Sequence, residues 1–102
     1  MRRKNDPPFL ILTSLAGGPK HGHALLKDIE AFAGVRLGPG ALYGAITRLE
    51  ERGLIEPTDR DERRQPYQLT AAGQGALVDE LRELHAITRV ADARLATLGS
   101  SR

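Results

Sequence analysis

Apolar positions fall into runs of different spacing along this chain, and each spacing predicts an element. Between Gly38-Pro39 and Gly53, the residues Leu42, Ala45, Ile46 and Leu49 come to one side when stepped at ~100° per residue, the signature of a half-buried helix. Proline at its first position loses only an N–H that would have no intrahelical partner. At the other end, Gly53 can take the left-handed conformation, and Leu54 can pack back on Leu49, so the helix is predicted to stop at about Arg52. Its opposite side carries Gly40, Gly44 and Thr47, with Arg48 and Tyr43 at the edges. Two exposed helical glycines cost on the order of 1 kcal/mol each relative to alanine. They suit a surface that something approaches closely, such as a nucleic-acid backbone or groove; the plain alternative is a loosely optimised solvated face.

Two further helices are predicted before this one. The run Phe9-Leu10-Ile11-Leu12-Thr13-Ser14-Leu15-Ala16 is apolar on nearly all sides and stops at Gly17-Gly18-Pro19. As a helix it needs cover on two faces, and a partner subunit is the natural source of the second; a buried strand is the alternative for so short a run. The next helix carries Leu25, Leu26, Ile29 and Phe32 as a buried stripe, turns Lys27, Asp28 and Glu30 outward, and ends near Gly34.

Beyond the central helix, residues 54–58 and 66–70 read as two short strands around a charged loop, a hairpin whose Pro57 and Pro66 place it at an edge. Thr70 is suited to cap a long proline-free helix from Ala71 to Leu98, whose Gly73 and Gly75 are expected to fray or bend its start. Along it Leu77, Leu81, Leu84, Thr88, Ala91, Leu95 and Leu98 alternate steps of four and three, the spacing of a helix that packs along another helix. Val78, Ile87 and Val90 widen that surface. The division expected is a compact unit over residues 1–70 and a dimerisation helix with a short tail over 71–102.

Composition narrows the chemistry. At 102 residues the chain is one small module, and with 15 basic against 13 acidic side chains any nucleic-acid role must rest on where charge sits. The absence of cysteine removes disulfides, thiolate zinc sites and cysteine nucleophiles, and fits a reducing interior. Arg2-Arg3-Lys4 ahead of Phe9–Leu12 copies parts of a signal peptide, but Thr13-Ser14 breaks the run, so the expected location is cytoplasmic. No stretch approaches the ~20 apolar residues of a membrane span.

The basic arm of Arg2, Arg3, Lys4 and Asn5 reads equally as a solubilising terminus or a phosphate contact. His21 and His23 lack a third ligand at suitable spacing and favour a surface or phosphate contact over a metal. Asp59, Asp61 and Glu62 lack the glycine and distal glutamate of a calcium loop and read as a solvated tip, whereas Arg63 and Arg64 are placed to hold phosphate. No nucleophile has a convincing base partner and no phosphate-cradling glycine loop follows a strand, which argues against an enzyme; no cofactor is expected.

The order of helix, helix, recognition-type helix, hairpin and long helix is that of a mainly α winged helix-turn-helix with a dimerisation arm. Four segments carry a closer likeness: Gly18-Pro19-Lys20-His21-Gly22-His23, Gly38-Pro39-Gly40-Ala41-Leu42-Tyr43, Arg48-Leu49-Glu50-Glu51-Arg52-Gly53-Leu54-Ile55, and Arg63 through Gly73. In that order and spacing the chain resembles the PadR transcriptional regulators. The departures are His23 where tyrosine is common and Gly44 where proline often follows the Leu-Tyr pair.

The resemblance implies a cytoplasmic homodimer that binds double-stranded operator DNA and usually represses, with the third helix in the major groove and the wing on the backbone. The DNA-facing candidates are Lys20, His21, Gly40, Ala41, Tyr43, Gly44, Thr47, Arg48, Arg63 and Arg64, with Thr47 and Arg48 as base readers. The dimer candidates are Phe9, Leu12, Leu77, Leu81, Leu84, Thr88, Ala91, Leu95 and Leu98, since the resemblance also implies that the last helix packs on the partner's first. Some relatives bind planar aromatic effectors between subunits. With Phe9, Phe32, Tyr43 and Tyr67 as its only aromatic side chains, this chain has little from which to build such a pocket, and a small-molecule effector stays unidentified. A winged-helix protein-interaction module without an operator is the second class of reading, set apart by salt-insensitive protein binding.

Overall fold

The computed structural model describes residues 6–60 and 63–100, with the side chain of Ser100 excluded. Arg2, Arg3, Lys4, Asn5, Asp61 and Glu62, to which the sequence attaches expectations, lie outside the described residues. Four helices and a hairpin follow in order: α1 (Pro7–Leu15), α2 (Gly22–Ala33), α3 (Pro39–Glu51), β1 (Ile55–Pro57), β2 (Tyr67–Leu69) and α4 (Ala71–Ser100).

The apolar run at the start is a helix, not a strand. Asp6 caps it by accepting from the Phe9 N–H, and prolines occupy its first turn, where no N–H is missed. A second subunit, the natural source expected for its second face, is not needed to bury its leucines and isoleucine. Leu10, Ile11, Leu12 and Leu15 are all buried within the single chain, because α1 runs through the middle of the body and packs against α2, α3, α4 and β2. Leu12, 7% exposed, and Leu77, at 8%, are core residues of their own subunit that also edge open grooves beside α4. Phe9 lies at the edge, half-buried.

In α2, Leu25 and Ile29 are buried as the spacing requires, but Phe32, in the last turn, is 46% exposed. Asp28 does not point freely outward: its carboxylate accepts from the buried Ser14 hydroxyl at 2.6 Å and lies 3.9 Å from the Lys20 ammonium. Gly34 closes α2 at φ 69°.

At the end of α3, the Leu54 N–H donates to the Leu49 carbonyl and the Gly53 N–H to the Glu50 carbonyl, both at 2.9 Å, with Gly53 at φ 73°. This pair of bonds is the Schellman ending, and it aims the chain directly into β1.

The strands pair antiparallel, with Ile55 opposite Leu69 and Pro57 opposite Tyr67. A third short piece extends the sheet: the Lys20 N–H donates to the Tyr67 carbonyl at 3.1 Å and the Tyr67 N–H returns to the Lys20 carbonyl at 2.9 Å. One residue of pairing has no periodicity, and the spacing rules did not find it. It locks the wing to the start of α2.

Thr70 caps α4 as expected, accepting from the Gly73 N–H at 3.0 Å while donating to the Gly53 carbonyl at 2.6 Å. Gly73 does not fray the helix. A Cβ there would collide with the Leu54 carbonyl, so the glycine lets the first turn of α4 lie against the end of α3. Past Leu84 every described side chain of α4 is exposed. The 30-residue helix is ~45 Å long and projects from the body, which is why the radius of gyration is 16.4 Å where a compact chain of this length has about 13 Å.

Candidate nucleic-acid interface

The four buried residues of α3, Leu42, Ala45, Ile46 and Leu49, fix its rotation. That rotation turns Gly40, Ala41, Tyr43, Thr47 and Arg48 to solvent as one face, with Gly44 half-covered between them. The Thr47 hydroxyl donates back to the Tyr43 carbonyl at 2.9 Å, which leaves its methyl group and an oxygen lone pair for a ligand. The Arg48 guanidinium folds along the helix past Gly44, where a Cβ would lie at ordinary van der Waals distance, 3.6 Å from Nη1.

Beside this face is a concavity of about 300 Å³ where the start of α2, α3 and the base of the wing converge. His21, His23, Tyr43, Arg60, Arg63, Arg64, Gln65 and Tyr67 line it, with Gly22 as its floor. The Tyr43 ring rests on that floor. A Cβ at Gly22 would meet the Tyr43 hydroxyl and come within 2.9 Å of its Cζ. Gln65 fixes the wing base by donating to the Thr58 carbonyl at 2.7 Å and to the Pro66 carbonyl at 2.9 Å.

His21 is the N-cap of α2, with Nδ1 accepting from the Ala24 N–H at 3.3 Å. A neutral imidazole that accepts at Nδ1 carries its proton on Nε2. That Nε2 lies 3.3 Å from Nη1 of Arg64, which is always a donor. In that tautomer both nitrogens are donors at the mouth of a basic hollow, and an anion's oxygen lying outside the pair can accept from both. The phenol of Tyr67 is held above its ordinary value chiefly by burial, with the Glu50 carboxylate and Tyr43 adding to the shift and Arg60 opposing it. Tyr67 is therefore a neutral wall of the hollow.

Of the DNA-facing candidates, the structure brings His21, Tyr43, Arg63 and Arg64 together in this hollow, beside the α3 face that holds Gly40, Ala41, Gly44, Thr47 and Arg48. Lys20 is different. Its ammonium turns inward, donating to the Ser14 carbonyl at 2.6 Å and the Gly18 carbonyl at 3.4 Å, so it neutralises the C-terminal end of α1. Arg60, Gln65, Tyr67 and Gly22 join the hollow without having been singled out. Arg60 sits within the charged loop, where nothing in the spacing separates a solvated tip from an inward-leaning side chain. The four aromatic side chains split: Tyr43 and Tyr67 share the hollow, Phe9 lies in a groove by α4, and Phe32 stands on the surface of α2. Among the described residues, no cluster of three or more histidines and carboxylates is placed to hold a metal ion, and no helix is long and apolar enough to cross a membrane.

The family model of the transcriptional regulator PadR-like family matches residues 11–79, from the middle of α1 through the wing to the root of α4. The chain belongs to the PadR-like family. Among relatives, the transcriptional regulator Rv3488 of Mycobacterium tuberculosis is 37% identical over 82 residues, which cover 78% of this chain and 76% of that protein. A 37.1 kDa protein of transposon TN4556 from Streptomyces fradiae is 46% identical over 88 residues, covering 86% of this chain; the match spans only 25% of that protein's length. Among solved structures, a PadR family transcription regulator from Clostridium difficile R20291 superposes with a TM-score of 0.78 at 26% identity, covering 87% of this chain and 97% of that one. PadR-like membership and the winged-helix architecture therefore agree.

Proposed function

We propose that this PadR-like chain is a sequence-specific DNA-binding transcriptional regulator that acts in the cytoplasm as a homodimeric repressor on an inverted-repeat operator. The observation that carries the reading is the close approach of His21 Nε2 and Arg64 Nη1, 3.3 Å apart, beside the exposed face of α3. In this reading α3 enters the major groove and presents Thr47 and Arg48 to base edges, while the hollow straddles the flanking backbone, where His21 and Arg64 donate to one phosphate oxygen. Arg60 and Arg63 add further phosphate contacts, and Tyr43 marks the border between groove and backbone. Gly40 and Ala41, at the start of α3, let the backbone of DNA come close.

Two subunits joined through α4 set two recognition helices about one helical turn apart, which makes the operator an inverted repeat. With three or four phosphates neutralised per subunit, the log–log salt slope is on the order of −5 to −7. The test is fluorescence anisotropy with the chain's own upstream DNA and with scrambled DNA at several salt concentrations. Tight, sequence-preferring and salt-steep binding is expected. Absence of binding to either DNA at low salt overturns the reading and promotes the protein-interaction module. Arg48→Ala should lose ~1–3 kcal/mol on the operator alone, and Arg64→Ala should weaken both DNAs alike while lowering the slope by about one unit.

A further inference from the structure

We infer that Thr47 reads a thymine in each half-site, by packing its methyl group against the 5-methyl group of that base in the major groove. The inference rests on the operator-binding reading and names the base and the contact within it. Stepped at ~100° per residue, four positions of α3 fall within ~30° of the direction opposite its buried side: Gly40, Gly44, Thr47 and Glu51. Tyr43 and Arg48 lie toward the two edges of the face. Two of the four central positions have no side chain, and Glu51 ends the helix with a carboxylate that the phosphates of DNA repel. Thr47 is therefore the first side chain that the floor of a groove meets.

The hydrogen bonding of Thr47 narrows what it can read. A hydroxyl has one proton to give, and Thr47 gives it to the Tyr43 carbonyl at 2.9 Å. None is left for the N7 and O6 of guanine, the N7 of adenine or the O4 of thymine. What remains is a methyl group and an accepting lone pair. The bond to Tyr43 holds the oxygen against the preceding turn, and so the methyl is the branch free to reach outward. Thymine alone among the four bases shows a methyl group at the major-groove edge. Methyl against methyl removes apolar area from water on both sides of the contact.

The surroundings of Thr47 leave room for the base pair. Packing within the chain requires neither central glycine, since a Cβ at Gly40 would meet nothing within 4 Å and one at Gly44 only the Arg48 guanidinium at ordinary contact distance. Without those side chains, the turns before Thr47 can lie close to the groove floor.

Duplex pools of random sequence, selected separately on the natural protein, Thr47→Val and Thr47→Ser, supply the sites for the test. Thr47 is exposed, so both variants keep the fold, and thermal melts check this. Valine keeps the methyl and lacks the oxygen, whereas serine keeps the oxygen and lacks the methyl. The natural protein and Thr47→Val are expected to select one thymine at the same place in each half-site, and Thr47→Ser to accept any base there. Replacing that thymine in one half-site by deoxyuridine, which removes only the 5-methyl group, should weaken the natural protein about 4-fold, the worth of one buried methyl, and Thr47→Ser less than about 2-fold. Three results overturn the inference and leave the operator standing: selected sites without such a thymine, the same thymine and the same deoxyuridine loss with Thr47→Ser, or loss of the thymine with Thr47→Val alone. Failure of the natural protein to retain any of the pool at low salt overturns the operator reading itself, and the inference with it.

Discussion

Two stretches with more apolar positions than one contact face needs, α1 and the distal half of α4, meet opposite fates. Both carry leucine and isoleucine beyond what one contact face requires. Around α1 the chain wraps α2, α3, β2 and the root of α4, and its Ile11 is fully buried. Around distal α4 the chain places nothing, and Ile87, Leu95 and Leu98 are each at least 64% exposed. Periodicity reports how much of a helix must leave water, because the penalty for exposure is a property of the side chains. It is silent about who covers it, since that depends on which other segments the turns deliver to the same place.

The sharpest way to break this contrast is to cut one residue from each stretch. Ile11→Ala should cost about 3–4 kcal/mol in urea unfolding, independent of protein concentration, because the hole it leaves is enclosed by the subunit's own helices. Leu98→Ala should leave the body's stability nearly unchanged and act only on the concentration dependence of the unfolding midpoint. If both substitutions behave alike, the division into a self-covered and a partner-covered stretch fails.

Next in size is a pair of glycines two residues apart at the root of α4. Gly73→Ala should destabilise by about 2–3 kcal/mol, as a Cβ there is driven against the Leu54 backbone. Gly75 has open space around the same position, and Gly75→Ala should stabilise by up to ~1 kcal/mol through helix propensity. Thermal melts of the two variants would show opposite signs.

A smaller effect separates inward from outward basic residues. Lys20→Ala should cost about 1 kcal/mol of stability with an unchanged DNA salt slope, the reverse of Arg64→Ala. An unfolding curve and a salt titration on each protein would check it.

The smallest effect concerns Tyr67. Its phenol is raised above 10.0 in the folded chain, so the neutral form is favoured there. That contribution is whole below pH 10 and is lost as pH rises through the raised value, because the unfolded phenol ionises first. Stability should therefore decline at the alkaline end for the natural protein, with a shallower decline in Tyr67→Phe. Melting temperature between pH 8 and roughly 11 reads this out.

Much of this architecture was legible in advance. The limits of α3, its Schellman ending, the Thr70 cap and the hairpin strands depend on residues within a few positions of one another, and local sterics and hydrogen bonding decide them. The exposed face of α3 followed from the same periodicity that buried Leu42, Ala45, Ile46 and Leu49. What escaped were matters of long range: Lys20 turning to Ser14, Asp28 accepting a hydrogen bond from the Ser14 hydroxyl, Phe32 left uncovered, and Arg60 joining the hollow.

By itself, then, the sequence determined the element types, their ends and the PadR-like likeness, since each rests on short-range chemistry repeated at fixed spacing. Only the tertiary structure decided that α1 is covered from within, that Gly73 is a close-approach position, and that His21 and Arg64 face one another across 43 residues. Those outcomes depend on which surfaces remain after the helices have packed, and packing is a competition among distant segments that no local pattern encodes.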